Sequence, residues 1–226
     1  MSTDETTKLT AEVEKRPFLA AAIEPTTTLN AFALDDLAQF TREGSFPTGD
    51  SLDFRVLYVG RDDVHGALKY LLARCSRSLA MSMFGMDDDE LCDIIVHLVE
   101  SSHVFVQGNL DKSQAGGVHE RKILAAWSKD VRADFAIGTT ASGQIEHSKG
   151  GVVDGLVAFE GSTNWSSSGE GTGIGLHGDP NAAGFKAQAN TLSIYTHPVQ
   201  IAKFTTVLAE EHASLVKREL AKAKSA

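Results

Sequence analysis

Apolar positions along the chain follow two alternating periods. Val64, Ala67, Leu68, Leu71, Leu72 and Cys75 fall at i, i+3, i+4, i+7, i+8 and i+11, which draws one apolar stripe along a helix. Leu91, Ile94, Ile95, Leu98 and Val99 repeat that spacing. Short apolar runs lie between and around these stretches, at residues 55–59, 79–84 and 103–107, the last ending near Asp111. They read as buried strands. Further along, residues 118–128 predict a helix and residues 132–137 a strand. Residues 145–154 and 156–160 predict two paired strands, and residues 189–195 one more. A long helix over 198–220 closes the chain, with Pro198 in its first turn. Strands alternating with helices predict an α/β fold, a mixed β-sheet flanked by helices in a single lobe.

The stretch before the first strand is different. Residues 1–16 are rich in Thr, Glu and Lys with no apolar period, which predicts a disordered tail. Residues 30–42 predict a short helix, and Gly44 to Gly49 with Pro47 a linker. The expected layout is a tail (1–16), a helical extension (17–53), a domain over 54–220, and a frayed end (221–226). No apolar run approaches the ~18 residues of a bilayer-spanning helix. The run Phe18 to Ile23 is too short for a signal-peptide core, so the expectation is a cytoplasmic protein. Cys75 and Cys92 are the only cysteines, which excludes a disulfide framework and a Cys-based zinc site. Both lie on apolar stripes and read as core.

Charge changes the picture. The net of −9 argues against a protein that coats nucleic acid through a broad basic face. Residues 1–53 carry four basic and ten acidic side chains, a net of −6, whereas residues 112–150 carry six basic and four acidic, a net of +2. The middle of the chain is therefore where an anion site is expected.

Candidate chemistry lies there, in IEHSKGGVVDGLVAFEGSTNWS over residues 145–166. His147 and Lys149 are two apart on a predicted strand, so both side chains project from one face. Asp154 ends that strand. Gly161-Ser162-Thr163-Asn164 follows the next strand, where a tight turn can aim Ser162 and Asn164 into the same space. An imidazole, an ammonium, a hydroxyl and an amide suit a tetrahedral phosphate: a nucleophile, a cation and two hydrogen-bonding groups.

The pattern His-x-Lys-(x)4-Asp-(x)6-Gly-Ser-x-Asn resembles the signature of the phospholipase D superfamily, the HKD enzymes. His147, Lys149, Asp154, Gly161, Ser162 and Asn164 match it without a gap. The likeness extends over about residues 54–216 and leaves residues 1–53 outside it. It implies a two-step phosphodiester cleavage that needs no metal or cofactor. One histidine attacks phosphorus to form a phosphohistidine; a second protonates the leaving oxygen and then activates water. With one motif in a single lobe, the resemblance implies a homodimer in which His147 of each chain meets at a shared, isologous site. One imidazole must start neutral and the other protonated, so a bell-shaped pH profile is implied. Lys149, Ser162 and Asn164 would bind phosphate, and Asp154 would support the Lys149 strand and its turn. Many single-motif members carry a glutamate where this chain has Ala189. The expected supports are therefore Glu146, Gln188 and Asn190, with Glu146, Glu170, Asp179 or a backbone carbonyl as what orients His147.

Small single-motif members are typically endonucleases, so nucleic acid is the expected substrate. Phospholipid cleavage is the alternative; it would want an apolar, interface-seeking loop, and Gly169–Gly184 is glycine-rich and polar. A catalytically weak nucleic-acid-binding or scaffold dimer is a third reading, motivated by Ala189. Other features read more plainly. Asp87-Asp88-Asp89-Glu90 precedes a helix, and N-capping explains it better than a metal site. Gly169–Gly184 lacks the strand–turn–helix setting of a dinucleotide site and reads as a loop or a rim carrying His177. His119, Arg121 and Lys122 form either a phosphate-facing patch or a solvated helix face. Trp165 reads as core or interface, or as a platform for a base or lipid glycerol.

Overall fold

The computed structural model describes residues 33–101, 103–114, 116–127, 133–139, 145, 147–171 and 187–224. The expected tail over 1–16, Glu146, and most of the Gly169–Gly184 loop with His177 and Asp179 lie outside them.

A 3-10 turn over Leu34–Phe40 comes first. The elements then alternate: β1 (Phe54–Tyr58), α1 (Val64–Ala73), β2 (Ser78–Met83), β3 (Met86–Asp87), α2 (Asp89–Glu100), β4 (Phe105–Asp111), α3 (Val118–Trp127) and β5 (Ala133–Gly138). There follow β6 (Lys149–Val153), β7 (Val157–Gly161), β8 (Trp165–Ser166), the single turn α4 (Ser167–Glu170), β9 (Thr191–Tyr195) and α5 (Pro198–Ala223). Seven strands make one mixed sheet in the order β1-β9-β7-β6-β2-β4-β5, and β3 pairs with β8 in a small parallel sheet. In the large sheet β2, β4 and β5 run parallel while the other neighbours are antiparallel.

Two apolar layers follow from the strand alternation. Leu79, Met81, Met83, Val153, Val157 and Phe159 point to the face covered by α1, α2 and α3. Val152, Ala158 and Tyr195 point the other way, onto Ile201 and Leu208 of α5. The fold is thus the expected α/β sandwich, with β6 buried along its length. Helix starts follow the acidic caps: Asp63 accepts from Gly66 N at 2.8 Å and Asp88 from Leu91 N at 2.8 Å. A polar clamp seats α5. Asn109 Nδ2 donates to Leu208 O at 3.2 Å, its Oδ1 lies 2.9 Å from His212 Nδ1, and His212 Nε2 lies 3.0 Å from Asp134.

Several expectations need correction. The helix expected over 30–42 is, among the described residues, only the 3-10 turn Leu34–Phe40. Leu34 and Leu37 belong to the main core, and Arg55 of β1 donates to Asp35 at 2.7 Å while its guanidinium stacks 4.2 Å from the Phe46 ring centroid. The described part of the extension is therefore packed into the domain rather than set apart from it. α5 runs through Ala223, past the expected end at 220. The two-residue strands β3 and β8 and the turn α4 carry too few positions to show a period.

Gly108 has a steric reason on β4. A Cβ there would sit 2.2 Å from the ring of Phe135, which is buried on β5. Gly108→Val should lower stability by at least about 2 kcal/mol through overpacking, read from urea unfolding; a change below about 0.5 kcal/mol would contradict that packing.

Candidate active site

The start of β6 sets the site. Lys149 stands opposite Met83 of β2, and Gly150 opposite Glu160 of β7. Phe84 N donates to Ser148 O at 3.1 Å, which extends the β2–β6 pairing by one step. The ordered strand begins at Lys149, so His147 precedes it rather than lying on it as expected. Both side chains nevertheless approach the same aromatic neighbour. The His147 imidazole packs on Phe84 with ring centroids 4.9 Å apart, and Lys149 Nζ lies 5.1 Å from the same ring. His147 is exposed, whereas Lys149 is 5% exposed and donates from Nζ to His147 O at 2.6 Å. A buried ammonium needs such an acceptor and an electron-rich face, because desolvation penalises the bare charge.

The turn after β7 reaches the same end of the sheet. Gly161 pairs with Leu192, so Ser162 and Asn164 emerge beside the start of β9. Ser162 N donates to Thr191 O at 3.2 Å, and Ser162 Oγ accepts from Thr191 N at 3.1 Å. Gly161 allows this approach, since a Cβ there would fall 2.1 Å from Thr191 O. Asn164 and Phe84 line one cleft of about 260 Å³ together with Met86, Glu120 and Ser166. Asn164 Oδ1 is buried in its wall with no hydrogen-bond partner among the described residues. Burial also raises the Glu120 carboxyl above its ordinary range, though it accepts from Met86 N at 3.2 Å.

Asn190 and Gln188 stand at this end too. Asn190 Nδ2 donates to Gly169 O at 2.9 Å and to Gln188 Oε1 at 3.1 Å, and Gln188 N donates to Ser168 O at 2.9 Å. These bonds tie the start of β9 to α4. Ala189 between them is exposed.

Asp154 is elsewhere. It lies five residues along from Lys149, at the far end of β6, about 16 Å away at 3.3 Å per residue. Its carboxylate accepts from Ser76 N, Arg77 N and Ser78 N at 3.0, 2.8 and 2.9 Å, from Ser76 Oγ at 2.8 Å, and from the Cys75 thiol at 3.6 Å. It thus staples the β6–β7 turn to the start of β2, and its φ of 55° is the left-handed turn geometry. Burial and this carboxylate push the Cys75 thiol well up.

Other expectations are redirected by partners distant in sequence. Glu170 does not reach His147; its Oε2 lies 2.5 Å from His65 Nδ1. His119 lies 2.9 Å from Asp89 and 3.3 Å from Asp87, and Lys122 donates to Asp93 at 3.2 Å, so both are engaged by carboxylates around the start of α2. Arg121 is exposed. Trp165 is 1% exposed and stacks on Phe159 at 6.2 Å, which makes it core rather than a platform for substrate. Cys92 is buried, and its thiol is pushed up to about 11. Phe84 is the neighbour of His147 and Lys149 that sequence reasoning missed, because it reads as one more apolar strand residue.

With fold and geometry in place, the chain shows a likeness of fold to solved structures that include a phospholipase D family member. NucT from Helicobacter pylori superposes with a TM-score of 0.56 at 14% identity, over 71% of this chain and 96% of that one. Nuc from Salmonella typhimurium, a phospholipase D family member, gives 0.53 at 15%, over 71% and 94%. Polyphosphate kinase from Porphyromonas gingivalis gives 0.50 at 9%, over 85% of this chain and 32% of that one. No family model matches the sequence, and no curated protein does.

Asp154→Ala should cost roughly 2–4 kcal/mol by orphaning several donors, with Asp154→Asn costing less because Asn tolerates the left-handed turn. Guanidinium unfolding checks this; a loss under about 0.5 kcal/mol for the alanine variant would show that those amides find other acceptors.

Proposed function

We propose that the protein is a phosphodiesterase acting through a covalent phosphohistidine on His147, and that its substrate is DNA or RNA. The observation that carries this reading is Phe84. Its ring packs against the His147 imidazole and lies 5.1 Å from the Lys149 ammonium, and Phe84 itself lines a cleft together with Asn164. An exposed imidazole beside a buried cation suits in-line attack on a phosphorus whose equatorial oxygens need neutralising.

In this scheme an imidazole nitrogen of His147 forms the N–P bond and the P–O bond to the leaving alcohol breaks. The partner's His147 gives its proton to that oxygen, then takes one from water, which attacks phosphorus and frees His147. Lys149 balances charge on the phosphoryl oxygens, with Ser162 and Asn164 as their hydrogen-bonding partners. Asp154 acts at a distance by holding β6 and its turn in place. The likeness of fold to NucT and Nuc supports a nuclease among phosphodiesterases. A homodimer that brings two His147 side chains together completes the scheme.

Plasmid, single-stranded DNA, RNA and phosphatidylcholine vesicles, each incubated in EDTA beside a His147→Ala control, test the reading. Nucleic-acid cleavage by the wild type should fall at least about 10³-fold in His147→Ala, and about 10²–10³-fold in Lys149→Ala. An acid-labile, base-stable phosphoryl adduct should be trapped on His147, and the pH–rate profile should be bell-shaped. Choline release would instead mark a lipase, and tight binding of nucleic acid without turnover a scaffold. Light scattering checks the assembly: a fully active monomer would contradict the shared site.

A further inference from the structure

A second cluster of titratable side chains lies outside the His147 site. His65 in the first turn of α1, Asp88 at the N-cap of α2 and Glu170 at the end of α4 converge from three elements. His65 Nδ1 is 2.5 Å from Glu170 Oε2 and 3.6 Å from Asp88 Oδ2, and one ligand atom from each residue lies within 4.8 Å of the others. The cluster is enclosed: Glu170 is 1% exposed and Asp88 6%.

Two further observations point to a cation between them. Glu170 Oε1 is buried with no hydrogen-bond partner among the described residues, an uncompensated acceptor beside the cluster. His65 also has the outer partner that metal-bound imidazoles have. Its Nε2 lies 3.3 Å from Glu90 Oε2, and Glu90 is held in turn by Lys69. With Nε2 turned to Glu90, Nδ1 faces the carboxylates of Asp88 and Glu170, and a metal cation can take the place of the shared proton among the three. Asp88 can serve without losing its cap, because Oδ1 takes Leu91 N and Oδ2 faces His65.

We propose that His65 Nδ1, Asp88 Oδ2 and the Glu170 carboxylate form a site for one divalent transition-metal ion, with Glu90 and Lys69 as its outer support. One imidazole nitrogen and two carboxylates suit zinc, with manganese second, rather than magnesium or calcium. Binding opens the His65–Glu170 contact to about 3 Å, as bonds of roughly 2.0–2.2 Å require. The ion braces α1, α2 and α4 against one another. α4 follows the turn that carries Asn164 and accepts Asn190 on Gly169 O, so the brace stands behind the phosphate-binding end without entering the reaction.

Chelator-stripped full-length protein, dialysed against zinc chloride and then against metal-free buffer, is read by mass spectrometry for metal and by thermal unfolding. The expected result is one zinc per chain and a Tm raised by roughly 5–10 °C at a hundredfold excess over Kd. Glu170→Gln and Asp88→Asn, the second keeping the helix cap, should each weaken zinc binding at least about 10-fold, with folding checked by circular dichroism. Magnesium at the same concentration should leave Tm unchanged. Wild type that retains no zinc, or folded variants that retain it equally, would overturn the site. Neither readout uses substrate, so this result stands apart from the fate of the phosphodiesterase reading.

Discussion

Register along β6 is the constraint on which the candidate site rests. The strand is hydrogen-bonded on both sides and buried on both faces, so a slip of one residue would exchange Lys149 with Gly150 and turn the ammonium to the face of α5. Two devices hold that register from opposite ends. At the start, the Phe84–Ser148 hydrogen bond and the Phe84 ring fix His147 and Lys149 against β2. At the far end, the Asp154 carboxylate gathers three successive amides of the segment that opens β2. A residue about 16 Å from Lys149 thus helps to fix where Lys149 stands in the sheet.

The acidic balance of the chain is compatible with an anion site because much of that acidity is spent internally. The carboxylates of Asp87, Asp89 and Asp93 engage His119 and Lys122, and those of Asp88, Glu90 and Glu170 engage His65 and Lys69. Lys149 donates to a backbone carbonyl and lies against an aromatic face. The small sheet of β3 and β8 joins the two regions. Ser166 of that sheet and neighbouring Asn164 line the cleft, and α4, which follows β8, carries Glu170 to His65.

The fold resembles both Nuc and a polyphosphate kinase. Fold therefore chooses no substrate, and the choice rests on the side chains at the start of β6 and after β7.

The sequence by itself determined the alternation of strands and helices, an acidic N-cap for α2 within residues 87–90, and the placing of Lys149 on one strand with Ser162 and Asn164 in the turn after the next. Each is set by local spacing: the two backbone periods dictate which positions share a face, and a cap or turn needs only neighbours a few residues away. Only the tertiary structure decided that Asp154 staples β2, that Glu170 serves His65 rather than His147, that His119 and Lys122 are claimed by α2, and that Leu34 and Leu37 belong to the core. The hydrogen-bonded partners among them are separated by 29 to 105 positions in the chain. Their meeting depends on strand order and helix packing, and no local pattern of apolar and polar residues encodes which distant carboxylate a given imidazole will find.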